Sequence, residues 1–318
     1  MNWSTRITEL LQIRYPIVQG GLAHLAYHEL AAAVSNAGGL GQITAMSLKH
    51  PEQLREEIRH VREKTDHPFG VNFAIGQHGR SYREFLDVAI EEKVPVVSVT
   101  GGNPAPFFDD LQGVNVKKLV LVATIRQAKK AEELGADAVM VVGQEGGGHI
   151  GREDLSTFVL VPQVVDAVRI PVIASGGIGD GRGLMAALSL GAEGIEMGTR
   201  FIATKECVHA HESYKQALVE GDENSTIVIK RSLGAPGRAL KNRWTSRIVE
   251  LEKANATYET LKTFISGEAN KRFANEGKVD EGFAWAGQVV GLIKDVPLVE
   301  QLIDRIIKEG EKIRKSWL

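Results

Sequence analysis

The sequence predicts an α/β fold, a TIM (β/α)8 barrel with an inserted α-helical subdomain after strand eight. Short runs of β type recur eight times within about 200 residues, separated by segments of helical period. Alternation of that kind implies parallel strands joined by right-handed crossovers. Beyond residue 205 the alternation stops. Eight units in so short a span suit a closed barrel better than an open doubly wound sheet.

The runs fall at 15–19, 40–43, 70–75, 95–100, 118–122, 138–142, 171–175 and 194–197. Between them the apolar residues step helically: Ile125, Ala128, Ala131 and Leu134 recur every three residues, with charge on the other face. Leu134-Gly135-Ala136-Asp137-Ala138-Val139 and Leu190-Gly191-Ala192-Glu193-Gly194-Ile195 share one layout. In each a helix ends at a glycine suited to the left-handed position after the last turn, and a strand follows at once. From 206 to 278 there are helical fragments and no good strand, so this segment reads as a helical subdomain, and 1–205 with 279–318 as the barrel. The stretches 282–293 and 297–313 read as two returning helices, the first apolar and glycine-rich.

Composition narrows the function. With 38 Lys and Arg against 40 Asp and Glu, the net charge of −2 exerts no pull toward nucleic acid or an anionic membrane. The single cysteine, Cys207, excludes an internal disulfide and a cysteine-based zinc or iron–sulfur site, and fits a reducing compartment. No apolar run approaches the roughly 18 residues of a membrane span, and Met1-Asn2-Trp3-Ser4-Thr5-Arg6 lacks a signal-peptide core. A cytoplasmic protein is expected. Glycine makes up 34 of the 318 residues, above the usual ~7%, which suggests tight turns and backbone approaching a ligand.

Strand seven runs out into Ser175-Gly176-Gly177-Ile178-Gly179-Asp180-Gly181, and strand eight into Met197-Gly198-Thr199-Arg200-Phe201. In a barrel, the loops after these two strands, with a short helix N-terminus, present backbone N–H groups to a phosphate. Gly176, Gly177 and Gly198 permit close approach, and Thr199 is placed to cap a short helix over 200–206. The plainer reading is a pair of tight turns without a ligand. Strand six leads into Gly146-Gly147-Gly148-His149-Ile150-Gly151, which makes His149 the leading acid/base candidate, since an imidazole exchanges its proton near neutral pH. Gln19-Gly20-Gly21 ends strand one, and Asn72 lies within strand three, where it either reaches a ring carbonyl or nitrogen or serves as a satisfied core amide. His24 with His28, and His209 with His211, lack a third ligand, so no metal is expected. Ser232, Arg238, Asn242 and Trp285-Ala286-Gly287-Gln288 read as packing or lid elements.

These motifs resemble the flavin-dependent nitronate monooxygenase (2-nitropropane dioxygenase) family, which is close to the FMN-dependent enoyl-acyl carrier protein reductases and NAD(P)H:quinone reductases. The match runs nearly end to end, through Pro16-Ile17-Val18-Gln19-Gly20-Gly21, Gly70-Val71-Asn72, Gly147-Gly148-His149-Ile150-Gly151, Ile173-Ala174-Ser175-Gly176-Gly177-Ile178, Met197-Gly198-Thr199-Arg200-Phe201, Arg231-Ser232-Leu233 and Ala286-Gly287-Gln288-Val289-Val290-Gly291-Leu292. The resemblance implies noncovalent FMN, with its phosphate on Gly177, Gly198 and Thr199, its isoalloxazine near Gln19, Gly20, Gly21 and Asn72, and His149 facing it as base or substrate partner. It departs at Val142, where many relatives carry Gln or Asp, at Leu22, where several carry Met, and at Leu121-Val122-Ala123, where some place a lysine.

Three readings follow. The first is oxidative denitrification of an alkyl nitronate with oxygen, giving a carbonyl compound and nitrite. The second is an NAD(P)H-dependent reductase of an enoyl thioester or quinone. The third is a non-flavin phosphosugar isomerase or aldolase barrel using the same phosphate loops. The expected partners are a small molecule (a nitronate, or NAD(P)H under the second reading) and neither nucleic acid nor membrane. A homodimer is the assembly allowed for.

Overall fold

The computed structural model describes residues 3–75 and 80–317. Met1 and Asn2, which open the stretch read as lacking a signal core, lie outside the described residues. The barrel strands are β1 (Ile17–Gln19), β2 (Gly41–Thr44), β3 (Phe69–Ala74), β4 (Val96–Thr100), β5 (Lys117–Val122) and β6 (Ala138–Val142). After a two-residue outer strand, β7 (Gly148–His149), the barrel resumes with β8 (Val172–Ser175) and β9 (Gly194–Met197). The eight are hydrogen-bonded in the order β1-β9-β8-β6-β5-β4-β3-β2, every pair parallel. A parallel bridge from Val18 to Leu40, with Gln19 N–H donating to the Leu40 carbonyl at 2.9 Å, closes the sheet on itself.

Alternation along the strands sorts side chains to two cores. Val18, Leu40, Val96, Leu119, Ala138, Met140 and Ile173 fill the barrel interior, and Ile7 and Leu11 of the helix Arg6–Leu11 plug its N-terminal end. The outward residues, among them Ile17, Val71, Val97, Val139 and Ile195, pack under the surrounding helices. The 18-residue helix Val299–Ser316 returns to the barrel against Gly181–Ser189, as expected of the last segment.

Two expectations need correction. The segment 206–278 is not all helical: β10 (Thr226–Ile229) pairs antiparallel with β11 (Gly237–Leu240), and β11 pairs with β7, giving a second sheet of three strands. Nor is 282–293 a helix. Trp285 bridges antiparallel to Ala239, Leu240 N–H donates to the Ala284 carbonyl at 2.9 Å, and only Gln288–Leu292 coils, as a 3-10 turn. Glycine weakens helix. Here the cost is decisive because Gly282 and Gly287 lie flat against other backbone, where added Cβ atoms would stand 2.1 Å from the Ala269 oxygen and 2.7 Å from the Glu145 oxygen.

Candidate active site

Three turns and the segment 286–287 meet at the C-terminal ends of β6, β8 and β9. Gly176 and Gly177 follow β8 with φ of +91° and +79°, the left-handed region, which only glycine adopts without strain. A Cβ on Gly176 would stand 2.9 Å from the Gly146 nitrogen, and one on Gly147 would stand 2.6 Å from the Gly287 nitrogen. Gly287 N–H in turn donates to Thr199 Oγ1 at 2.9 Å. The structure thereby brings Gly147, Gly148, Ser175, Gly176, Gly177, Gly198 and Thr199 together. Thr199 does not cap the short helix as expected. Gly198, with φ −107° and ψ −70°, already has right-handed helical geometry, so the helix starts one residue sooner, as Thr199–Ile202, and no side chain caps it.

Glu145 holds this assembly. Its carboxylate accepts from Thr157 N–H at 2.9 Å and Thr157 Oγ1 at 3.0 Å, at the start of helix Thr157–Val165, where its charge also favours the helix dipole. Its carbonyl accepts from Gln288 N–H at 2.8 Å. The departures from the family pattern pack here too. Val142 lies against Gly146, and Leu22 against Gly198, 2.6 Å and 3.3 Å from where their Cβ atoms would stand.

Gln19, Gly20, Gly21 and Asn72 form the opposite side of the mouth, on β1 and β3. Asn72 Nδ2 donates to Ser98 Oγ at 2.9 Å, Ser98 Oγ donates to Gln42 Oε1 at 2.6 Å, and Gln42 Nε2 donates to the Gln19 carbonyl at 2.7 Å. Because the one Ser98 hydroxyl proton is spent on Gln42, Ser98 must accept from Asn72, which fixes the orientation of the amide. The Asn72 amide is thus held through its Nδ2, with its Oδ1 beneath Gly21, 2.3 Å from where a Cβ on that glycine would stand. Gly20 lies similarly over Glu196, 2.9 Å from Oε1. Gly20 N–H donates to the Met197 carbonyl at 3.0 Å, which ties this side to the β9 turn.

His149 stands at the rim on the outer sheet, opposite Gly237 of β11, and is exposed. Its Nε2 lies 2.7 Å from Lys230 Nζ, and its ring packs at 5.4 Å on Trp285. Lys230 directly follows β10 with φ +63° and is buried, its Nζ also 5.2 Å from the centre of the Trp285 ring. Burial lowers the Lys230 ammonium to about 8, with Glu252 opposing.

Sequence reasoning missed Lys230, Glu145 and Glu196, and read Trp285 as packing or lid. A lone lysine beyond a four-residue strand carries no local signal, and its pairing with His149 depends on the second sheet. Glu196 faces the barrel interior on β9. Burial raises its carboxyl, and a hydrogen bond with Ser175 offsets this in part. Its place in an otherwise apolar strand was the available signal. Of the paired histidines, His28 is engaged by Glu57 at 2.8 Å and Glu29 at 3.3 Å.

The nitronate monooxygenase family model matches residues 4–83 and 74–309 of the chain. A "probable nitronate monooxygenase" of Staphylococcus saprophyticus is 32% identical, covering 98% of this chain and 99% of that protein. Its counterpart in Staphylococcus aureus strain Newman is 34% identical over 97% and 98%. Among solved structures, FabK from Thermotoga maritima superposes with a TM-score of 0.92 at 41% identity, covering 99% of this chain and 98% of that one. A nitroalkane oxidase from Streptomyces ansochromogenes gives 0.84 at 28% identity, over 99% and 100%.

Proposed function

The chain belongs to the nitronate monooxygenase family and is an oxidoreductase, and from this premise we propose that it is an FMN-dependent nitronate monooxygenase, which converts alkyl nitronates and oxygen to carbonyl compounds and nitrite. The observation that carries the reading is the convergence of the glycine turns 146–147, 176–177 and 198–199, with an imidazole and an ammonium at their rim.

The residues present fit FMN. Thr199–Ile202 starts without a side-chain cap, and while the Phe201 and Ile202 amides donate to the Gly198 carbonyl at 2.9 Å and 3.1 Å, those of Thr199 and Arg200 would be the ones turned to a phosphate. Among the described residues a Cβ on Gly198 would meet only Leu22 within 4 Å, which leaves room for a ligand beside it. Gly177, Gly198 and Thr199 would hold the phosphate, with Ser175, Gly176, Gly147 and Gly148 completing that wall. Gln19, Gly20 and Gly21, supported from below by Asn72, would face the ring. Bound flavin supplies the electron acceptor for the nitronate and the route to oxygen. The protein's part is to bind and orient. A nitronate is already an anion, and the Lys230 charge beside His149 favours one at the rim.

The second reading, reduction of an enoyl thioester by NAD(P)H, is favoured by the 41% identity to FabK. Aerobic turnover of purified protein with propyl-2-nitronate separates the two. Nitrite released in proportion to substrate consumed, without NAD(P)H, supports the first. Oxidation of NAD(P)H that requires crotonyl thioester, with no nitrite from nitronate, supports the second. Denatured protein is expected to release FMN, and release of FAD or of no flavin would contradict the cofactor assignment.

A further inference from the structure

We propose that Lys230 is a positioning residue that decides which nitrogen of His149 carries the proton, making the imidazole a hydrogen-bond donor through Nδ1 while the lysine is charged and allowing it to act as an acceptor there once the lysine is neutral. The geometry is specific. Lys230 Nζ is 2.7 Å from Nε2, and an ammonium has only donors, so the contact requires the Nε2 lone pair. In a neutral ring the proton then sits on Nδ1.

The lysine is placed for this by the fold. Its left-handed backbone, φ +63°, turns the chain out of β10, and Lys230 N–H donates to Glu252 at 3.0 Å on helix Arg243–Lys253. The ammonium lies over the Trp285 ring, the same ring on which His149 packs. Tryptophan thus fixes both partners from one side and offers the cation a favourable π face. Arg231 is paired with Asp154 at 2.8 Å, and Arg238 on β11 donates its Nε to the Gln144 carbonyl at 3.0 Å. Glu252 is the carboxylate that opposes Lys230's loss of charge. Burial brings that loss to about pH 8, so the switch falls just above neutrality.

The consequence for chemistry rests on the flavin oxidoreductase reading; the proton placement does not. Below the switch, Nδ1–H suits a substrate oxygen that bears charge, such as a nitronate or an enolate. Above it, Nε2–H can donate to the neutral amine, and Nδ1 gains the lone pair needed to take a proton from a neutral nitroalkane.

The test is nitrogen NMR of the flavin-loaded protein with 15N-labelled histidine side chains, with His149 assigned by its loss in His149→Gln. The expected wild-type spectrum at pH 7 shows a protonated Nδ1 and a bare Nε2, giving way to the other tautomer as pH passes about 8. Lys230→Met should abolish the transition and the Nδ1–H preference, whereas Lys230→Arg should keep Nδ1–H throughout. A wild-type ring with bare Nδ1 at pH 7 overturns the proposal, as does a Lys230→Met spectrum like the wild type. The wild-type pH series decides the matter even if a variant fails to fold. Correct tautomers in a protein inactive on nitronate would leave this inference standing and remove the proposed substrate instead.

Discussion

Glu196 shows the cost of placing a carboxyl inside the barrel. Its folded-state value is raised by burial above the ordinary 4.5, so the folded chain keeps a proton that the unfolded chain has lost. Stability from this group is therefore complete below pH 4.5 and falls as pH rises through the raised value. Glu196→Gln should flatten that loss: its melting temperature is expected to gain on the wild type as pH rises above 4.5, and parallel melting curves would contradict the assignment. His149 is a different case, an exposed rim group that the proposed function turns toward substrate. A hydrogen bond to a charged partner contributes about 1.5–3 kcal/mol, or roughly 10–150-fold. His149→Ala should therefore lower kcat/KM for nitronate by that factor at pH 7, mainly through KM. A loss confined to neutral nitroalkane would show instead that the imidazole acts only as a base.

At the scale of elements, the turns after β6, β8 and β9 act as one block because backbone touches backbone. Gly287→Ala would put a methyl 2.7 Å from the Glu145 oxygen and 3.0 Å from the Gly147 nitrogen. Forcing the two segments apart is expected to cost about 1–3 kcal/mol and to lower flavin retention together with the denaturation midpoint. Unchanged flavin content in a destabilised variant would separate this contact from the cofactor. These turns were legible in the sequence because glycine clusters at strand ends leave a local mark. The second sheet was not. β7 is only two residues and pairs with β11 across the whole of 150–236, while β10 and β11 form a hairpin of four residues each, too short for a clear period. Without that sheet, Lys230 and His149 could not be seen as neighbours.

At the scale of the molecule, the eight barrel strands were legible to within a residue or two, since each is a buried parallel run with a helix after it. The closing bridge and the polar chain from Asn72 to Gln19 emerge only once β1 meets β2 around the ring. Among the described residues no helix is long and apolar enough to cross a membrane. What the barrel does with its mouth depends on which donor reduces the flavin. Anaerobic stopped-flow of the flavin-loaded protein with propyl-2-nitronate, NADH and NADPH in parallel asks this directly. Rapid bleaching of the flavin by nitronate, with slow or no bleaching by either nucleotide, is the expected result. Rapid bleaching by a pyridine nucleotide, with nitronate inert, would contradict it.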